Sequence, residues 1–104
     1  MIVRVWSGRT SVAKAPEYER FLKETAYPDY GDVEGNRGWL LLKRQEEDAV
    51  RFTFISLWES IEALRRYAGD APEKPKYYAE DRAALLELPE RADNYDLVDL
   101  HWKG

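Results

Sequence analysis

Residues 38–45, GWLLLKRQ, and residues 50–58, VRFTFISLW, are two apolar runs joined only by the short polar link EEDA. Runs of this kind read as strands, and a link this short lets them pair only as an antiparallel hairpin. Successive residues of a strand point to opposite faces of the sheet. Leu40 and Leu41 in the first run, and Phe54 and Ile55 in the second, therefore put large apolar groups on both faces. Any sheet built on this hairpin needs a cover on each side.

The flanking segments supply one cover. IVRVW, residues 2–6, sets Ile2, Arg4 and Trp6 against Val3, Val5 and Ser7 and reads as a strand. In KAPEYERFLKETAYP, residues 14–28, Tyr18, Phe21, Leu22 and Thr25 fall on the stripe of a helix. Pro16 fits its first turn, and Pro28 is expected to stop it, because the residue before proline avoids the α region. DYGDVEGNRG, residues 29–38, reads as a loop in which Asn36 supplies a left-handed turn conformation. Beyond the hairpin, Ser60 can cap a second helix, with Glu62 at its positive end and Ile61, Leu64 and Ala68 on one face. Gly69 ends it. DAPEKPK, residues 70–76, is a Pro-rich connector. AEDRAALLEL, residues 79–88, reads as a short extra helix that Asp81 helps to begin and Pro89 ends. NYDLVDLHW, residues 94–102, alternates again and reads as the last strand.

This order is β-α-β-β-α-β, the ferredoxin-like pattern of an α+β protein, and residues 1–104 read as one such domain. Its helices lie on one face of the sheet. A second copy packed sheet to sheet would cover the other, so the expected partner is the chain itself, in a homodimer.

Composition narrows the function classes. At 104 residues, 44% hydrophobic and 13% aromatic, the chain can bury a real but modest core. Its formal net charge is −4, with no Lys/Arg block of the kind that marks nucleic-acid binding. No apolar run approaches the ~20 residues needed to span a bilayer. MIVRVWSGRT lacks the pattern of a signal peptide. The absence of cysteine excludes disulfides and thiol catalysis, and the single His101 cannot build a histidine metal site alone. GNRG at 35–38 lacks the lysine and following helix of a phosphate loop. The expectation is a soluble cytoplasmic protein with no metal, no cofactor, and no nucleic-acid or membrane partner.

GNRGW, SLWESIEALRRYAGD and YYAEDRAALLE, in that order, resemble small proteins of the antibiotic biosynthesis monooxygenase-like family. The resemblance runs from VWSGRT to NYDLV. It implies a dimeric α/β barrel of two facing ferredoxin-like sheets, with a pocket between sheet and helices in each subunit. Some relatives oxidise polycyclic aromatic substrates with O₂ and neither metal nor flavin; others bind and degrade haem. This chain departs from the pattern. Asn94–Tyr95 stands where relatives carry a His–Tyr pair, and Ala79 where they carry proline. The first strand lacks the asparagine of the haem degraders, and the second helical region lacks their axial histidine. Haem ligation would fall to Tyr77 or Tyr78, since tyrosine can hold haem iron.

Five residues are candidates for the site: Trp58, Trp6, Arg4, Tyr77 and Tyr78. Trp58 matches a tryptophan that lines the pocket in several relatives, where a rigid ring would stack on a flat ligand. It could equally plug the strand–helix corner beside Phe52 and Phe54, and Trp6 carries the same two readings. Arg4 could pair with a carboxylate at the rim or reach solvent along its alkyl stem. Tyr77 and Tyr78 could present a phenol to a substrate, or Tyr78 could simply anchor the short helix with Leu85 and Leu88. The adjacent carboxylates Glu80 and Asp81 point in different directions on a helix and form no acid–base pair. The function implied is a cofactor-independent monooxygenase-like protein that binds or oxidises a small aromatic or hydrophobic molecule. The alternative is a non-catalytic ligand-binding or structural homodimer.

Overall fold

The computed structural model describes residues 1–104, which form seven elements. β1 (Ile2–Ser11) is followed by α1 (Ala15–Gly31), β2 (Asn36–Glu46), β3 (Ala49–Trp58), α2 (Ile61–Ala68), α3 (Ala79–Ala84) and β4 (Asp93–Asp96). The sheet order is β2-β3-β1-β4, every neighbour antiparallel, as a ferredoxin-like α+β fold requires. β1, first in the chain, therefore lies inside the sheet. It runs beside β3 from Ile2 opposite Trp58 to Ser11 opposite Ala49.

The strand period sorts the two faces. Even-numbered residues of β1 and β3, among them Trp6, Thr10, Phe52, Phe54 and Trp58, are buried beneath the helices. Tyr18, Leu22 and Tyr30 of α1 and Leu64 of α2 pack onto them. The other face has no helix over it. Leu40 and Leu42 there are nearly half exposed and Tyr95 more than half, and Leu40 sits opposite Ile55. No helix is long and apolar enough to cross a membrane.

The caps read from the sequence hold. Ser60 Oγ accepts the Ala63 N–H at 3.1 Å, and Gly69, at φ 85°, closes α2 with its N–H on the Arg65 carbonyl. Gly35, at φ 95°, has a second reason to be glycine: a Cβ there would lie 2.5 Å from the Ala63 Cβ.

Five local expectations need correction. Pro28 does not stop α1, which continues to Gly31. The extra turn sinks Tyr30 among Trp58, Tyr67, Phe54 and Trp39, and burial of that ring outweighs the hydrogen bond the proline removes. Asn36 is not left-handed; Gly35 and Gly38 are. Asn36 instead sits at the bulge that opens β2, where its Oδ1 accepts the Gly38 N–H at 3.0 Å. β1 runs on through Gly8 to Ser11, because the whole length of β3 is available to pair it. α3 ends at Ala84, since Leu85 bridges Thr10 and the Leu86 N–H reaches the Arg9 carbonyl at 2.8 Å. β4 stops at Asp96. Beyond the Leu97 N–H on the Met1 carbonyl there is no more β1 to pair with, and Val98, Leu100 and Trp102 stand exposed.

Candidate functional site

Alternation along β1 sends Arg4 to the helix side, where it is only 3% exposed. Its Nε donates to the Pro72 carbonyl at 3.3 Å and its Nη2 to the Lys74 carbonyl at 3.4 Å. The guanidinium carbon lies 5.6 Å from the centre of the Tyr67 ring. Arg4 forms no ion pair. It thus neither meets a carboxylate at the rim nor reaches solvent, as its sequence position had suggested. Directly across the sheet is Asn94, whose buried Oδ1 has no hydrogen-bond partner.

Two residues along, the Trp6 indole leans over Gly8; a Cβ on that glycine would lie 2.8 Å from the ring. Trp6 Nε1 donates to the Tyr77 hydroxyl at 3.1 Å, and that hydroxyl donates to the Pro89 carbonyl. Tyr78 turns the other way, with its hydroxyl on Asp29 Oδ2 at 2.6 Å. Asp81 accepts the Tyr78 N–H at 2.8 Å, as a helix-starting residue should, and also the buried Tyr18 hydroxyl at 2.6 Å. Of the anchors expected for the short helix, Leu85 is buried, but Tyr78 and Leu88 are exposed, and Tyr77 packs against the core in their place.

Arg4, Trp6, Tyr77 and Tyr78 line one pocket between α1, β1 and the connector. Trp58 does not. It is fully buried one layer away, stacked on Tyr67 at 5.4 Å, with Nε1 on Ser56 Oγ at 2.9 Å. The cavity left between the pocket walls is about 50 Å³, room for a few waters. A wider cleft of about 190 Å³ lies between α1 and α3, but its polar rim is only the surface charges Lys14, Glu17 and Glu80.

Several lining residues were missed in the sequence. Tyr67 and Lys76 stand beside Arg4, with the Lys76 Nζ 4.9 Å from the Tyr67 ring centre. Asp29, Tyr30 and Tyr18 complete the α1 side. Tyr67 could have been found, since it lies three residues past Leu64 on the helical period. Tyr30 was hidden by the stop expected at Pro28.

The phenols here are donors, not bases. Burial pushes the hydroxyls of Tyr18, Tyr30, Tyr67 and Tyr77 up from their ordinary value, and the Asp81 hydrogen bond adds to the effect at Tyr18. Tyr78 is pushed up to about 12, chiefly by its hydrogen bond to Asp29. The pocket therefore offers aromatic walls, neutral hydroxyls and two cations, while its carboxylates, Asp29 and Asp81, are already taken by tyrosines.

These residues do not fit a haem. His101 is exposed near the chain end, away from the pocket lining. The Tyr77 hydroxyl is held between Trp6 and Pro89, and that of Tyr78 by Asp29. No three His, Cys, Asp or Glu side chains group as a metal cage.

The α+β fold itself, a four-stranded antiparallel sheet with its helices on one face, recurs in solved structures. A candidate antibiotic biosynthesis monooxygenase from Nitrosomonas europaea superposes with a TM-score of 0.66 at 14% identity, covering 95% of this chain and all of that one. The haem degrader MhuD from Mycobacterium tuberculosis, with two haems in its active site, gives 0.59 at 20% identity, covering 97% of this chain and all of that one. Rv0793 from the same organism gives 0.57 at 18% identity, over 96% of this chain and 98% of its own. No protein-family model matches the chain, and no curated protein matches it.

Proposed function

We propose that this chain is a cofactor-independent monooxygenase-like protein, working as a homodimer, whose pocket binds a small aromatic molecule and oxidises it with O₂. The observation that carries the reading is the convergence of Trp6 and Tyr77 with Arg4, a buried cation lacking a carboxylate, in one pocket. A substrate with an acidic phenol or enol supplies its own electrons to O₂. One oxygen atom enters the carbon skeleton, and the other leaves as water with two hydrogens from the substrate. Arg4 would hold the substrate as its anion, between the aromatic walls of Trp6 and Tyr67. The fold shared with monooxygenase-type proteins supports the class.

The small cavity and the engaged Tyr77 hydroxyl favour a second reading, a non-catalytic ligand-binding or structural homodimer. Oxygen uptake with a panel of naphthalenediols and anthrones decides between them. Turnover above the spontaneous rate, lost in Arg4→Gln, supports the enzyme; thermal-shift binding without oxygen uptake supports the ligand binder. The uncovered face with Leu40, Leu42 and Tyr95 supports the dimer. Light scattering should give twice the 12.2 kDa chain mass, and Leu40→Glu with Leu42→Glu should give the monomer.

A further inference from the structure

We infer that Arg4 and Lys76 form an anion-recognition point for an aromatic carboxylate or phenolate, and that the ligand's anionic oxygen replaces the connector carbonyls now on Arg4. The inference rests on reading this pocket as a ligand site. A buried guanidinium needs strong partners, because desolvation of its charge is costly. Arg4 instead has two long bonds, 3.3 and 3.4 Å, both to carbonyls of residues 72–74. Charge-assisted bonds are shorter, about 2.7–2.9 Å. Lys76 follows on the same connector, also without an ion pair, so two cations border the Tyr67 ring. Beside them Asn94 Oδ1 is buried and unpartnered. Arg4 is thus a buried cation that the connector covers with two long bonds and that no carboxylate neutralises.

The connector is fastened in a way that suits exchange. Its firmest tie to the rest of the chain is the Ala92 N–H on the Glu73 carbonyl, at 2.7 Å. Release of Pro72 and Lys74 from Arg4 leaves that tie in place. The segment can then swing about Glu73 rather than detach, and the cavity of about 50 Å³ gains the room that a bicyclic ring needs. An oxygen anion then takes short, charge-assisted bonds from Arg4 with Lys76 beside it, while the ring lies against Trp6.

The test measures binding of 2-naphthoate, 2-naphthol and 2-naphthamide by calorimetry at neutral pH. The expected result is that 2-naphthoate binds roughly tenfold or more tightly than 2-naphthamide, the scale of a hydrogen bond to a charged group. Arg4→Gln should erase that difference, and Lys76→Gln, at an exposed position, should reduce it. Asn94→Asp guards against a folding artefact. It places a carboxylate opposite Arg4, so the melting temperature should hold or rise while 2-naphthoate binding falls and 2-naphthamide binding stays. Equal affinity for 2-naphthoate and 2-naphthamide, unchanged in Arg4→Gln and Asn94→Asp, overturns the anion point and leaves the pocket reading standing. No binding of any of the three probes overturns the pocket reading itself, and this inference with it.

Discussion

Trp58 and Trp6 lie on the same buried face of one sheet, and each indole donates its N–H to a hydroxyl. Their surroundings differ. The acceptor for Trp58 is Ser56, on its own strand, so the bond forms whenever β3 is extended. The acceptor for Trp6 is Tyr77, 71 residues away and beside the connector. Trp58 is packed on all sides, against Tyr30 and Tyr67 among others, while Trp6 has a cavity at its edge. A tryptophan held by its own strand serves the core; one held by a distant segment makes a wall that moves with that segment.

The sharpest way to break this contrast is truncation. Trp58→Ala should cost roughly 3–5 kcal/mol in urea unfolding, and Trp58→Phe should recover most of it. Neither should change affinity for an aromatic probe in protein that remains folded. Trp6→Phe removes the bond to Tyr77 and should cost about 1–2 kcal/mol. Its larger mark should be on binding, with a loss of roughly threefold to tenfold for an aromatic ligand. If the two variants exchange these profiles, the assignment of core and wall is reversed.

Alkaline titration sharpens the comparison on the wall side. The Tyr78 hydroxyl titrates at about 12 in the folded protein against an ordinary 10.0, so the folded state holds that proton more tightly. The stabilisation is complete below the ordinary value and is lost as pH rises through the folded one. Tyr78→Phe should therefore flatten the fall in stability between those two pH values, measured by urea midpoints, and leave the profile below unchanged. The smallest effect is a control at the hairpin tip, far from both indoles. Glu47 holds φ 55° without being glycine. Glu47→Gly should raise stability by at most about 1 kcal/mol, the relief of left-handed strain less the added chain entropy.

What the sequence disclosed, and what it hid, divides along the range of the interaction. The order of elements, the Ser60 cap, the Gly69 stop and the buried stripe of α1 all follow from neighbours within a few residues. So does the placement of Arg4 and Trp6 on one face. Four of the five site candidates meet in the pocket because strand parity and the connector's place were legible. Trp58 could not be separated from them, since parity names a face and not the layer behind Tyr67. Two of the local signals that misled, Pro28 and the run ending at Leu88, were overruled by distant partners: the aromatic cluster around Tyr30, and the β1 edge that captures Leu85. The carbonyls over Arg4 come from about seventy residues downstream, beyond any local pattern.

The interior position of β1 also sets a timetable for assembly. The β2–β3 hairpin closes over two residues, an event on the microsecond scale. The first strand, by contrast, must wait for both its neighbours, and Arg4 meets Asn94 only when β4, near the far end of the chain, has docked. Loop-closure entropy makes that pairing late. Kinetic φ-values should accordingly be higher for Leu41→Ala in the hairpin than for Tyr95→Ala in β4. On the ribosome, where residues emerge at about 5–20 per second, the hairpin has seconds of lead over the strand that closes the free edge of β1. A nascent chain would be folded in part well before its first strand is paired on both edges.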